Sequence, residues 1–184
     1  IRTQQDLERN TNIPIFGNIL HSQTKSDLVV YENPKSIIAE SFRALRTNLQ
    51  FMLSGNLGKV LSIHSTNPNE GKSFFSINLA TILAMNNKKV LIIGADMRKP
   101  RLHKIFDLPN ENGLSTYLIG NDNINQIIVA TLFENLSFLP SGPIPPNPAE
   151  ILEKPEMKIL IESVRSQFDF IIIDNAPSAM VTDG

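Results

Sequence analysis

Cysteine is absent from the 184 residues, which excludes disulfides, thiolate nucleophiles and cysteine-type zinc sites and agrees with a reducing compartment. Tryptophan is absent too, and tyrosine occurs only at Tyr31 and Tyr117. No charge of one sign dominates. Seventeen Lys+Arg stand against 18 Asp+Glu, without the basic excess of a protein that neutralises many phosphates, so no nucleic-acid partner is expected. Long hydrophobic runs are missing as well. The longest built only from apolar residues and glycine is Val90 to Ala95, far short of the roughly 20 residues that span a bilayer. Arg2, Gln4, Gln5 and Asp6 interrupt the start, so no signal peptide is expected there. The three histidines, His21, His64 and His103, have no metal-ligand spacing, and His64, at the end of an apolar run, is expected as a polar core residue. What is present suffices for a core: 41% of the residues are hydrophobic and 19% charged, in a chain of about one domain at roughly 150 residues per domain.

Residues 1–33 are polar around one apolar knot, Ile13-Pro14-Ile15-Phe16-Gly17, and read as a lead-in arm to a domain over 34–184. Asn33-Pro34 reads as a helix start, with proline at the first helical position, where its missing N–H costs nothing. Ile38, Phe42, Leu45, Leu49 and Met52 then recur at helical spacing, and the stripe ends near Ser54-Gly55. Strands are predicted at Val60 to Ile63, Val90 to Ile93, Leu136 to Leu139 and Phe170 to Ile173, with nearly continuous apolar runs that suit a parallel sheet covered on both faces. A helical pattern in Ile77, Leu79, Ala80, Leu83 and Ala84 follows the first strand, and a turn at Asn86-Asn87 precedes the second. Pro140 to Pro148 hold five prolines in nine positions and read as a rigid surface loop. A helix from about Ala149 to Gln167 follows, broken at Pro155. Strands alternating with helices predict a doubly wound, mainly parallel α/β domain with helices on both faces, its ligand at the carboxyl ends of the strands.

Ser65-Thr66-Asn67-Pro68-Asn69-Glu70-Gly71-Lys72-Ser73 ends in the Gly-Lys-Ser of a phosphate-binding loop, placed as such a loop requires between a strand and a helix. Amides of Pro68, Asn69, Glu70, Gly71, Lys72, Ser73 and Phe74 span the stretch expected to surround a nucleotide; proline itself contributes no N–H. Lys72 is the expected point charge at the β and γ phosphates of ATP or ADP, and Ser73 the hydroxyl on Mg²⁺. Two departures stand in the loop. Thr66 occupies the usual first glycine, and Asn69 another, where asparagine tolerates left-handed torsions. Asp96 and Asp174, past the ends of other strands, are candidates for organising Mg²⁺, Asp174 as the Walker B aspartate; a turn or helix cap is the alternative for each. Glu40, Arg43 and Arg46 fall three apart on the first long helix, either as an exposed intrahelical ion pair or as a partner-binding surface. Arg98, Lys99 and Arg101 face either phosphate or solvent. Tyr117, between Leu114 and Leu118, reads as half-buried packing.

Four stretches together resemble the cytoplasmic catalytic domain of bacterial tyrosine kinases, the BY-kinases attached to polysaccharide co-polymerases of capsule and exopolysaccharide export. Glu40-Ser-Phe-Arg43-Ala-Leu-Arg46-Thr-Asn48 is similar to the family's oligomerisation helix, and Ser65 to Ser73 to its Walker A. Leu91 to Pro100 resembles its Walker A′, and Phe168 to Pro177 its Walker B. Asp6-Leu7-Glu8 with Ile13 to Gly17 resembles the stretch that links a membrane helix to the kinase, which makes residues 1–33 juxtamembrane.

The resemblance implies an ATP-dependent protein-tyrosine autokinase that regulates polysaccharide polymerisation and export. In it Lys72, Asp96 and Asp174 serve catalysis, and Ser73, Asp96 and Asp174 hold Mg²⁺. Glu40, Arg43 and Arg46 join subunits into a ring. A membrane-anchored co-polymerase region or activator and a cognate tyrosine phosphatase are the implied partners, at the cytoplasmic face of the inner membrane. Two departures bear on activity. The family's Walker A′ reads Asp-x-Asp, and Gly94 stands at its first acidic position. Loss of that carboxylate implies nucleotide binding with impaired phosphoryl transfer, since general-base help is worth about 10² to 10⁴ in rate. The family's C-terminal tyrosine cluster does not appear before Gly184, and further strands are expected beyond it. Gly94 also favours a second reading, a nucleotide-binding assembly subunit without chemistry. A partition-type P-loop ATPase, a third, is disfavoured by Asn67, where that branch carries an extra lysine.

Overall fold

The computed structural model describes residues 12–21, 26–53 and 58–178. The expectations resting on Asp6-Leu7-Glu8, on the helix end at Ser54-Gly55 and on the tail at 183–184 lie outside the described residues. Five strands, β1 (Lys59–Ile63), β2 (Val90–Gly94), β3 (Val129–Ala130), β4 (Leu136–Leu139) and β5 (Phe170–Asp174), form one sheet. Their order is β1-β5-β2-β4-β3. All neighbours are parallel except β3 against β4. The two strands with the most continuous apolar runs, β2 and β5, are buried at every position, as interior strands covered on both faces must be.

Eight helices accompany them among the described residues: α1 (Val29–Glu32), α2 (Ile37–Met52), α3 (Lys72–Ala84), α4 (Leu102–Phe106), α5 (Leu114–Leu118), α6 (Ile124–Ile127), α7 (Pro148–Leu152) and α8 (Pro155–Val164). Strand alternation sorts the core into two halves. Val90, Ile92, Phe170 and Ile172 pack with α1, α2, α3 and α4. Leu91, Ile93, Ile171 and Ile173 pack with α5, α6, α7 and α8 on the opposite face. Even-numbered positions of β2 and β5 therefore face α3, and Asp174 is one of them.

Several local expectations are corrected. The long helix begins at Ile37, not at Asn33-Pro34: Ser36 is the cap, its hydroxyl accepting the Ala39 amide at 3.1 Å. Asn33 instead closes α1, its amide donating to the Val29 carbonyl, and the proline after it disfavours helical torsions there. Val29 and Val30 of α1 are fully buried, so packing begins within the stretch read as an arm. Met52, assigned to the apolar stripe, is 54% exposed, because the stripe rotates off the core at the last turn. The proline loop is superficial only after its start. Pro140, Ser141 and Gly142 are buried, pinned where the Leu114 and Ser115 amides donate to the Pro140 and Ser141 carbonyls. Pro155 breaks the following helix into α7 and α8 as predicted.

Candidate functional site

The chain leaves β1 at Ile63 and enters α3 through a loop whose torsions match its composition. Gly71 caps α3 at φ 86° and Asn69 sits at φ 65°, both in the left-handed region that glycine and asparagine enter at least cost. A Cβ on Gly71 would meet nothing within 4 Å, so its torsion, not space, calls for glycine. Glu70 turns back into the loop. Its carboxylate accepts from the Thr66 amide at 2.9 Å and from the Asn67 side chain at 3.1 Å. Hydrogen bonds from Asn67, then Thr66, hold the exposed Glu70 carboxyl below its ordinary range. The first turn of α3 leaves amides without intrahelical acceptors and points them, with the positive helix end, at the loop.

Register brings the acid to the loop. Ile63 pairs with Asp174 across β1 and β5, so the carboxyl ends of the two strands are neighbours. Lys72 Nζ donates to Asp174 Oδ1 at 2.7 Å, Ser73 Oγ to Oδ2 at 2.8 Å, and Ser76 Oγ to Oδ1 at 2.9 Å. Lys72 is 8% and Asp174 2% exposed, a buried ion pair whose carboxylate accepts three side-chain hydrogen bonds. The Asp174 carbonyl accepts from the amides of Ala95 and Asp96, both at 2.9 Å, which draws the loop after β2 to the same place. Asp96 Oδ2 lies 4.0 Å from Lys72 Nζ while Oδ1 accepts the Lys99 amide at 3.0 Å. Asp96 thus caps its turn and faces the phosphate-loop lysine at once. Burial, above all, pushes its carboxyl above the ordinary range, against the pull of the Lys99 amide and the Lys72 charge.

A cavity opens between the two loops. Of the expected phosphate-loop residues, Pro68, Asn69, Gly71, Lys72, Ser73 and Phe74 line it, with Asp96 across from them. Glu70 does not, since its side chain serves the loop. The basic cluster divides: Lys99 and Arg101 line this cavity, whereas Arg98 lines a separate groove with Met97 and Asn175. His64 is exposed rather than a core residue, because β1 is half-covered; its Nε2 lies 2.8 Å from Ser62 Oγ. Tyr117 is half-buried as predicted. Glu40 and Arg43 form an ion pair at 2.7 Å, and Arg43 also donates to the Pro34 carbonyl. The buried Nε of Arg46 has no partner among the described residues.

Sequence reading missed three residues here: Ser76, Asn78 and Asp27. Asn78 is fully buried; its amide nitrogen donates to the carbonyls of Asp27 and Phe74, both at 2.8 Å, and its oxygen accepts the Val30 amide at 3.0 Å. It straps α1 to α3 and sets Asp27 at the rim of the cavity. The usable signal was the polarity of Ser76, Asn78 and Thr81 within a helix otherwise apolar all round, for a polar group buried on every side needs a partner.

Ser73, Asp174 and Asp96 offer only oxygen, the donor that a small hard cation takes. No group of three or more His, Cys, Asp or Glu forms a metal cage among the described residues. The set fits an ion held by one or two carboxylates and completed by phosphate oxygens, the usual manner for Mg²⁺. No helix among the described residues is long and apolar enough to cross a membrane.

Known proteins resemble this chain in sequence and in fold. The family AAA_31, an AAA domain, matches residues 58–183. The tyrosine-protein kinase YwqD of Bacillus subtilis is 39% identical over 162 residues, covering 88% of this chain and 68% of its own. The tyrosine-protein kinase ptk of Acinetobacter johnsonii is 36% identical over 196 residues, covering all of this chain but only 27% of its own length. Among solved structures, the kinase domain of the Escherichia coli tyrosine kinase ETK superposes with a TM-score of 0.89 at 32% identity, over 98% of this chain and 75% of that one. Likeness of sequence and of fold, each running through the phosphate loop and the Asp174 strand, makes the chain a member of the bacterial tyrosine-protein kinases.

Proposed function

We propose that this chain is the ATP-dependent autokinase domain of a system regulating capsule or exopolysaccharide polymerisation and export, with phosphoryl transfer reduced by Gly94. The observation that carries the reading is the convergence of Lys72, Ser73 and Asp174 within hydrogen-bond distance at the carboxyl edge of the sheet. Lys72 binds the β and γ phosphates beside the amides of the loop. Ser73 and Asp174, with Asp96 nearby, would hold Mg²⁺, which supplies charge neutralisation at the terminal phosphates. Asp96 assists at the transferred group, and Lys99 and Arg101 add positive charge on the far wall. Catalysis here is chiefly positioning and charge.

Gly94 takes from this site what a carboxylate would add. It pairs in register with Asp174, so a side chain at 94 would stand on the α3 face beside that acid. A Cβ there would lie 3.3 Å from the Ser141 amide nitrogen, a contact that requires this backbone to give by a few tenths of an ångström. The deciding experiment incubates the full cytoplasmic region with Mg²⁺ and ATP and measures bound nucleotide and phosphotyrosine. We expect both forms to bind nucleotide, and Gly94→Asp to raise phosphotyrosine formation by about 10²-fold. Equal phosphotyrosine from both would end the impairment claim. Nucleotide binding without phosphotyrosine in either form would favour the second reading, an assembly subunit without chemistry, which the Gly94 position also supports.

The helix carrying Glu40, Arg43 and Arg46 is proposed to join subunits into a ring on the cytoplasmic face of the inner membrane, coupled to a membrane-anchored co-polymerase or activator and reset by a tyrosine phosphatase. Glu40→Ala with Arg43→Ala is expected to leave a folded monomer by light scattering; an unchanged mass would remove the interface.

A further inference from the structure

We infer that Ser76 is a positioning residue that keeps Asp174 oriented when nucleotide and cation draw Lys72 and Ser73 away from it. This rests on the magnesium-nucleotide reading of the site. Among the described residues Asp174 has three side-chain donors, Lys72, Ser73 and Ser76. Two of them are the groups that the reading commits to phosphate and cation, so both are withdrawn, at least in part, when the site fills. A carboxylate only 2% exposed that lost every donor would be costly and free to turn.

Ser76 escapes that competition. It is fully buried, lies one turn further along α3 than Lys72, and is not part of the cavity wall. Its hydroxyl lies 3.0 Å from the Lys72 carbonyl and 2.9 Å from Asp174 Oδ1, and the single proton goes to the ionised acceptor, the stronger of the two. The division between the oxygens is specific. Lys72 and Ser76 both hold Oδ1, whereas among the described residues Ser73 alone holds Oδ2. With Ser76 retained on Oδ1, the oxygen released by Ser73 is the one presented to the cation or to its bound water.

Partners that orient a metal-binding carboxylate typically change metal affinity 10- to 100-fold when removed. The test titrates a fluorescent ADP analogue into wild type, Ser76→Ala and Ser76→Thr, first in EDTA and then with increasing Mg²⁺. Ser76→Ala is expected to keep its EDTA affinity within about twofold while its half-saturating Mg²⁺ rises about tenfold, and Ser76→Thr to return most of that loss. A Mg²⁺ requirement unmoved by Ser76→Ala would overturn the inference, as would equal losses with and without Mg²⁺, the mark of a purely structural role. Wild type that binds no nucleotide in either condition would bring down the site reading itself, and this inference with it. Should Ser76→Ala not fold, Ser76→Cys, similar in size and a weaker donor, carries the same comparison.

Discussion

Lys72 and Asp174 hold opposite charges 2.7 Å apart with both side chains almost wholly buried, and each offsets much of the cost of burying the other. Removing one partner of such a pair costs on the order of 3 kcal/mol, because the remaining charge stays buried. Lys72→Met is therefore expected to lose about 3 kcal/mol by urea unfolding, and adding Asp174→Asn to recover part of it; a double variant as unstable as the sum of the singles would refute the pairing. Asp96 behaves oppositely. Burial raises its carboxyl from 3.8, so the folded protein binds that proton more tightly than the unfolded chain does. The penalty of the charge is absent below 3.8 and grows as pH rises through the folded value. Asp96→Asn should raise the melting temperature at pH 7 and not at pH 3, in thermal scans of the free protein. Lys72, Ser73 and Asp174 were legible because a short motif and a strand end fix both their chemistry and their place. Ser76 and Asn78 were not, since their partners Asp174, Asp27 and Val30 are distant in sequence and only the packed fold brings them near.

At the scale of elements, the tie between α1 and α3 runs through one side chain. Asn78→Ala would leave the Val30 amide and the Asp27 carbonyl without their partner in a buried setting, at a cost of about 2 kcal/mol. Hydrogen exchange should then accelerate over residues 26–32 more than over β2, whereas a uniform increase would show that Asn78 is no local strap. Long, strongly patterned elements such as β2, β5 and α3 were readable from apolar runs and period. The short ones were not: β3 has two residues and α6 four, too few for a period to register. The start of α2 was misplaced for a different reason. Asn33 and Ser36 are both good caps, and the choice between them was made by α1, whose end requires Asn33.

For the molecule as a whole, the doubly wound plan could be read from the alternation of elements, but the strand order could not. That order depends on crossovers that hydrophobic pattern does not encode, and here it seats the last described strand, β5, between β1 and β2. During translation β1 and α3 leave the ribosome long before β5, and β1 has no other neighbour in the described sheet. The phosphate loop must therefore wait, supported on one side only, until the nascent chain has delivered residues 170–174. Stalled chains ending at Gln167 are expected not to retain a nucleotide analogue, and chains long enough to free Asp174 from the exit tunnel to do so. Assembly of this pocket thus awaits an acid made 102 residues after the lysine at its centre.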